Sequence, residues 1–389
     1  MNKTKYDRIL LSHGGGGKET SELIGSIIFN GLYRQNGGSG DKYGPGCRNR
    51  HKGSCRTANI SWQKIKLLED AAVLKSPQSI AFTTDCFTVK PIFFKGGDIG
   101  KLSVAGTVND LSVMGARPLF LSLGFIIEEG FALADLKKII KGISEESAKT
   151  GVMVVTGDTK VVPAGKADGI FISTSGIGEI LYGGLSVYNI ATGDIIIVSG
   201  NVGDHGAAIM SRREGIEMDV EIESDCASLW DMIDCVLKSG IRVSAIRDAT
   251  RGGLAAVLNE WATAAVADIC VEEDKIPVND AVKGFCELLG FEPYQLACEG
   301  RAVFAVKPEF AGKALSVLKS HPLGKNAGII GTVGGGNSLV TETPQATRQA
   351  GHEGGGITSG YTGKVILKGI YGISRLLDYP SGELLPRIC

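Results

Sequence analysis

Apolar residues along this chain fall into short runs broken by glycine and charged turns, and the spacing within the runs switches between strand-like and helix-like. Ile80–Thr84 reads as a short buried strand. From Asp98, a residue suited to an N-cap, positions Leu102, Ala105, Val108, Leu111 and Val113 follow a roughly helical spacing up to Met114. A strand is predicted at Leu119–Ile127 and an amphipathic helix at Leu133–Lys149, closed by Gly151. Strands are predicted again at Val152–Thr156 and Gly169–Ile177. A second set follows: a strand over Asp194–Ser199, helices over Asp204–Arg213, Asp231–Lys238 and Gly253–Ala265, a strand at Ala302–Val306, a helix at Phe310–Leu318 and a strand at Ala327–Val333. Alternation of the two kinds predicts layered α/β or α+β structure. The chain has 389 residues, more than one core of ~250–300 residues holds. The pattern breaks around Tyr182-Gly183-Gly184, so the expected division is a domain over 1–180 and another over 181–389.

Two stretches interrupt this order. Arg34–Lys64 (insertion 34–64) carries seven basic residues and one acid with little apolar periodicity, and 334–363 is rich in Gly, Thr, Ser and Gln. Neither can bury much apolar surface, so both are expected to be mobile surface segments. The first holds Cys47, His51 and Cys55 without a fourth candidate ligand, which leaves a zinc site incomplete.

Composition narrows the function classes. The net charge of -1, with 43% hydrophobic and 21% charged residues, gives no sign of a nucleic-acid or anionic-membrane partner. No apolar run reaches the ~18 residues of a membrane span, and the polar start has no signal-peptide core. Nine scattered cysteines, an odd number, point to reduced thiols and a cytoplasmic setting.

Candidate chemistry begins with five aspartates at the ends of predicted strands or in turns: Asp70, Asp85, Asp110, Asp158 and Asp248. Any one of them alone reads as a turn residue or helix cap. Five in similar settings read instead as hard oxygen ligands for Mg²⁺ beside nucleotide phosphates. The run Ser12-His13-Gly14-Gly15-Gly16-Gly17-Lys18 could cradle phosphate through backbone N–H groups with Lys18 adding charge; its spacing is not that of a Walker loop, and it is equally consistent with a plain turn. Lys160 lies two residues after Asp158, and Asp248-Ala249-Thr250-Arg251-Gly252-Gly253 could open a helix towards an anion or simply cap it. The chain ends Pro386-Arg387-Ile388-Cys389. Pro386 favours an extended tail and Ser381-Gly382 offers a hinge, so 381–389 is expected to be mobile and to carry a terminal thiol. Arg387 would lower its pKa and the α-carboxylate would raise it. An incidental terminal cysteine is the plain alternative.

Taken in order, His13–Lys18, Glu69–Val73, Thr83–Asp85, Gly106–Gly115, Gly124–Gly130, Thr156–Val161, Gly203–Gly206 (GDHG), Glu223–Cys226 (ESDC), Asp248–Gly253, His321–Gly324 and Pro386–Cys389 (PRIC) resemble the carbamoyl dehydratase HypE family of the PurM-like superfamily over most of the chain. PRIC is the most specific of these segments. The resemblance implies an N-terminal α/β domain whose strands join a second subunit in a homodimer, and a C-terminal α+β domain. It implies ATP between them, contacted by Gly14, Gly16, Gly17, Lys18, Asp85, Asn109, Asp158 and Thr159, and metal held by Asp70, Asp85, Asp110 and Asp248. The implied reaction loads a carbamoyl group from the partner HypF onto Cys389 and dehydrates it with ATP to a thiocyanate. Lys160 would stabilise charge on oxygen and Glu299 would act as base, and cyanide would pass to a HypC–HypD complex. The sequence departs from the family at Gly15 (usually Ser or Ala), Ala249 (Pro) and Cys298 (Asn), and in both insertions. A selenophosphate or aminoimidazole ribotide synthetase of the same superfamily is an alternative, although no cysteine precedes the glycine run. A non-catalytic carrier is another, against which the retained aspartates and lysines speak.

Overall fold

The computed structural model describes residues 7–14, 23–33, 79–215, 222–334, 363–380 and 387–389. The Arg34–Lys64 insertion, most of 334–363, Asp70, Gly16, Gly17, Lys18 and the upstream part of the tail lie outside them.

The first half is a four-stranded sheet of order β1-β6-β4-β5, formed by β1 (Ile80–Phe87), β4 (Ala116–Glu128), β5 (Met153–Val162) and β6 (Ile170–Ile180). Two short strands, β2 (Phe93–Phe94) and β3 (Gly97–Asp98), pair separately. Helix α1 (Ile99–Val113) begins where the Asp98 carboxylate accepts the N–H groups of Gly100 and Lys101, the side-chain cap expected from the sequence. Helix α2 (Leu133–Thr150) stops at Gly151, which adopts the left-handed conformation. Together α1 and α2 cover one face of the sheet, and β4-α2-β5 is a parallel crossover. Almost every side of α1 is buried, since it packs on the sheet, on α2 and on the second half of the chain.

The second half is a seven-stranded sheet of order β13-β12-β9-β11-β7-β10-β8. Its strands are β7 (Ile195–Val198), β8 (Val243–Asp248), β9 (Ile269–Glu272), β10 (Ala302–Val306), β11 (Gly328–Val333), β12 (Val365–Lys368) and β13 (Ser374–Leu376). All its pairings are antiparallel except β12 with β9. The helices of this half are α3 (Asp204–Arg213), α4 (Trp230–Lys238), α5 (Gly253–Ala265), α6 (Asp280–Leu289) and α7 (Ala311–Ser320). Strand β10, paired on both edges by β7 and β8, is buried at all five positions, as a strand covered on both faces must be.

Two expectations change. Strand β1 was expected to be buried over Ile80–Thr84, but it lies at the sheet edge and exposes Ile80 and Phe82 on one face. The acids were expected at strand ends or in turns, but Asp85 lies within β1, Asp158 within β5 and Asp110 in the last turns of α1. Strand β5 passes through Thr156-Gly157-Asp158 because β4 pairs with it from Met153 to Val162. That ladder overrides the local turn preference of Gly-Asp.

Candidate active site

Residues 387–389 are docked rather than free. The backbone N–H of Thr88 donates to the carbonyl oxygen of Cys389 (2.9 Å), and the Thr88 hydroxyl donates to the same oxygen (3.1 Å). Lys90 N–H donates to the Arg387 carbonyl (3.2 Å), as does the Arg213 guanidinium (2.9 Å). The Arg387 guanidinium bonds the Thr88 carbonyl (2.8 Å) and pairs with Asp168. Arg387 itself has φ of 52°, so the tail bends left-handed here instead of running extended throughout. Ile388 is 3% exposed and joins the apolar cluster that contains Phe94, Ile209, Cys226 and Ala297.

Docking sets the state of the thiol. Burial pushes the Cys389 thiol up to about 12, Glu299 and Asp85 push the same way, and Arg251 opposes them. Arg251, not Arg387, is thus the cation that acts on the sulfur; the Arg387 guanidinium is taken up by Asp168 and Thr88.

Near enough to act on the thiol is the carboxyl of Glu299, 2% exposed, whose Oε1 has no hydrogen-bond partner among the described residues. Burial, followed by Asp248, Asp225, Asp85 and Asp110, holds its pKa well above the ordinary carboxylate range. The position of Glu299 is fixed from behind. Asp225 accepts the backbone N–H groups of Glu299 (3.0 Å) and Gly300 (3.3 Å). A Cβ on Gly300 would lie 1.9 Å from the Asp225 carbonyl oxygen. Gly300→Ala should therefore push this segment off Asp225 and cost about 2 kcal/mol or more in a urea unfolding series; an unchanged midpoint would show that the close approach carries no cost. Cys298 is buried, and its Sγ accepts the N–H of Gly203 (3.2 Å). Its thiol is pushed far up by burial, so it remains a neutral spacer beside Glu299.

Three of the expected metal ligands gather here. Asp85 is raised chiefly by burial, with Asp110 adding; Asp110 is raised by burial and accepts the Thr83 hydroxyl (2.7 Å). Asp248 is pushed up to about 7, first by burial and then by Asp110. Among the described residues, no three His, Cys, Asp or Glu side chains already converge on one cation position. The mutual repulsion of these hard carboxylates is nevertheless what a divalent cation relieves, so the donor set fits Mg²⁺. Asn109, expected at the nucleotide, spends its side chain on the protein: it donates to the carbonyls of Ala227 (3.1 Å) and Glu299 (3.4 Å) and accepts the N–H of Leu229 (2.8 Å).

The other expected residues do not join this group. Asp158 and Lys160 are exposed on β5, the sheet edge opposite β1. Three strand spacings separate those edges, about 14 Å. In register, Cys86, Ser173, Gly124 and Asp158 form one row across the sheet face not covered by α1 and α2, whereas Asp85 faces α1. Thr159 alternates to the covered face and is buried, so its side chain and that of Asp158 cannot share a ligand. Gly14 closes a 3-10 turn (Leu11–Gly14) that packs against β5, so the start of the glycine run accompanies Asp158 and Lys160. Residues that sequence reasoning did not single out are Thr88, Asp168, Arg213, His205 and Ser224. The last two lie in GDHG and ESDC, whereas nothing in the sequence marked the first three.

The AIR synthase related protein N-terminal domain family matches residues 68–180, and the corresponding C-terminal domain family matches 191–343. Carbamoyl dehydratase HypE of Rhodobacter capsulatus is 38% identical over 384 residues, covering 98% of this chain and 98% of its own length. A crystal structure of hydrogenase maturation protein HypE in complex with ATP aligns with a TM-score of 0.82 at 36% identity, over 98% of this chain and 99% of that one. A crystal structure of a HypE–HypF complex aligns with a TM-score of 0.69 at 46% identity, over 77% of this chain and 90% of that one. Near-full-length identity, both domain families and the shared architecture lead to one assignment: this chain belongs to the HypE family of carbamoyl dehydratases and has its PurM-like, two-domain fold.

Proposed function

We propose that the chain dehydrates an S-carbamoyl group on Cys389 to a thiocyanate at the expense of ATP. The observation that carries this reading is the docked thiol, within electrostatic reach of Asp85 and of the Glu299 carboxyl, whose Oε1 has no hydrogen-bond partner among the described residues. An amide does not lose oxide, so its oxygen must first become a phosphate ester. The carbamoyl oxygen attacks the γ-phosphorus and ADP leaves. Glu299 takes a proton from nitrogen, the C–O bond breaks with loss of phosphate, and the second N–H proton follows. The products are –S–C≡N, ADP, phosphate and one proton. Mg²⁺ held by Asp70, Asp85, Asp110 and Asp248 would offset phosphate charge. The carbamoyl donor is HypF, in keeping with a solved HypE–HypF complex, and the acceptor of cyanide is HypC–HypD.

Lys160 stabilises the oxygen in this scheme only if it reaches the thiol, and β5 lies a sheet's width from β1. The uncovered sheet face exposes Ile80, Phe82 (66%) and Ile126. We place a second copy of the chain on that face. Two such sheets facing each other bring the β5 edge of one copy, with Gly14, Asp158 and Lys160, beside the β1 edge of the other. The homodimer then completes the site. We keep 1–180 and 181–389 as the two domains and the cytoplasm as the setting; among the described residues no helix is long and apolar enough to cross a membrane.

The test is the mass of the C-terminal peptide after incubation with HypF, carbamoyl phosphate and ATP. A carbamoyl adduct on Cys389 that then loses one water is expected. An adduct that keeps its water while ATP is consumed in its presence would sink the proposal.

A further inference from the structure

GDHG and ESDC are two motifs that the reaction scheme leaves without a task. His205, in the first turn of α3, is completely buried. Its Nε2 lies 2.7 Å from the carbonyl oxygen of Ile388 and its Nδ1 lies 2.8 Å from the Ser224 hydroxyl. A carbonyl only accepts, so Nε2 carries the proton and Nδ1 takes the Ser224 hydroxyl hydrogen. The Ser224 oxygen in turn accepts the N–H of Cys226 (3.1 Å), and Ser224 N–H is tied to the Lys95 carbonyl (3.0 Å). Phe94 meets the imidazole edge-to-face at 5.4 Å. One ring thus connects the penultimate residue of the chain to the loop whose next residue, Asp225, holds the backbone of Glu299.

We propose that His205, oriented by Ser224, is the positioning residue that latches the C-terminal tail in its docked state and so sets how often Cys389 meets Glu299. The ring reads a backbone carbonyl, not a side chain. It therefore grips the tail whether the neighbouring sulfur is bare or loaded, and release of the tail withdraws only the Ile388 side chain from its apolar cluster. Among the described residues, Thr88 and Arg213 bond the tail at the protein rim, whereas His205 bonds it from a wholly buried position, where water is a poor alternative partner. The inference takes from the proposed reaction only that Cys389 is the loaded residue. Its test reads thiol exposure and needs no turnover, so it can fail while the reaction stands, and the reverse.

The experiment is timed iodoacetamide labelling of the full-length protein, followed by peptide mass mapping. Cleavage after Lys368 isolates Cys389 in the fragment Gly369–Cys389. Buried Cys226 shares a core cluster with Ile388 and reports loss of fold. His205→Ala should raise the labelling rate of Cys389 about five-fold, the effect of one net hydrogen bond on an opening equilibrium, with Cys226 unchanged. His205→Gln, whose amide keeps an N–H for Ile388, should return the Cys389 rate towards wild type. The latch is overturned if His205→Ala leaves the Cys389 rate unchanged, if Cys226 rises in step with Cys389, or if Gln behaves as Ala does.

Discussion

Glu299→Gln should arrest the protein with a carbamoyl group on Cys389, lowering the dehydration rate by a factor on the order of 10²–10⁴, the usual span for a positioned general base. Gln keeps the shape and the backbone N–H that Asp225 accepts, so the tail should still dock and still be loaded. Only the proton acceptor is removed. The C-terminal peptide would accumulate at the carbamoyl mass in a single-turnover time course, and a variant running at more than a tenth of the wild-type rate would remove Glu299 from the role of base. The same substitution should stabilise the fold. The folded pKa of Glu299 lies well above the ordinary value of 4.5, so on raising the pH the unfolded chain ionises first and stability drains away between 4.5 and the folded value. Gln has no such loss. Its gain over wild type in thermal unfolding should therefore be absent in acid and grow as pH rises through that window. Activity runs the other way: the base must be ionised, so acidification should cost rate at a higher pH than an ordinary carboxylate would.

Asp248→Asn should abolish most of the stabilisation that Mg²⁺ gives the protein. A cation that binds only the folded state at a hundred times its dissociation constant contributes ~2.7 kcal/mol, and wild type should show a shift of that order in thermal unfolding with added MgCl₂. Without metal the variant should be the more stable at pH 8. Burial and Asp110 have moved the wild-type carboxyl from 3.8 to about 7, so wild-type stability falls as pH rises across that interval. An equal Mg²⁺ shift in both proteins would remove Asp248 from the metal site.

Helices were the most legible part of the fold, because their end signals are local. Asp98 caps α1 and Gly151 closes α2 as their residue types dictate, and α3, α5 and β10 take the bounds their apolar spacing gives. What was missed depends on distant partners. Strands β8 and β9, six and four residues long, and the late β12–β13 hairpin gain their identity from neighbours in a seven-stranded sheet. Strand β5 outlasts its predicted end because β4 continues beside it. The site divides in the same way. Residue chemistry found Asp85, Asp110, Asp248 and Cys389, and the family resemblance added Glu299; these groups act on one another through space. It could not foresee that Asp158 and Lys160 stand at the far edge, nor that Thr88 receives the last residue by its backbone N–H, a group every non-proline residue has.

The docked tail has one more implication. It is rooted beyond β13, where Asn259 on α5 holds the carbonyl of Leu377 (3.0 Å), yet its last three residues bond to Thr88, Lys90 and Asp168 of the first sheet's territory as well as to His205 and Arg213 of the second. The chain therefore carries its own intramolecular ligand, tying its two halves together. By thermodynamic reciprocity, whatever spreads those halves must weaken the grip on the tail, and whatever draws the tail out must make the halves easier to spread. An acceptor that captures the departing cysteine would thereby also ease opening of the cleft to fresh nucleotide, so that delivery and recharging become two ends of one movement.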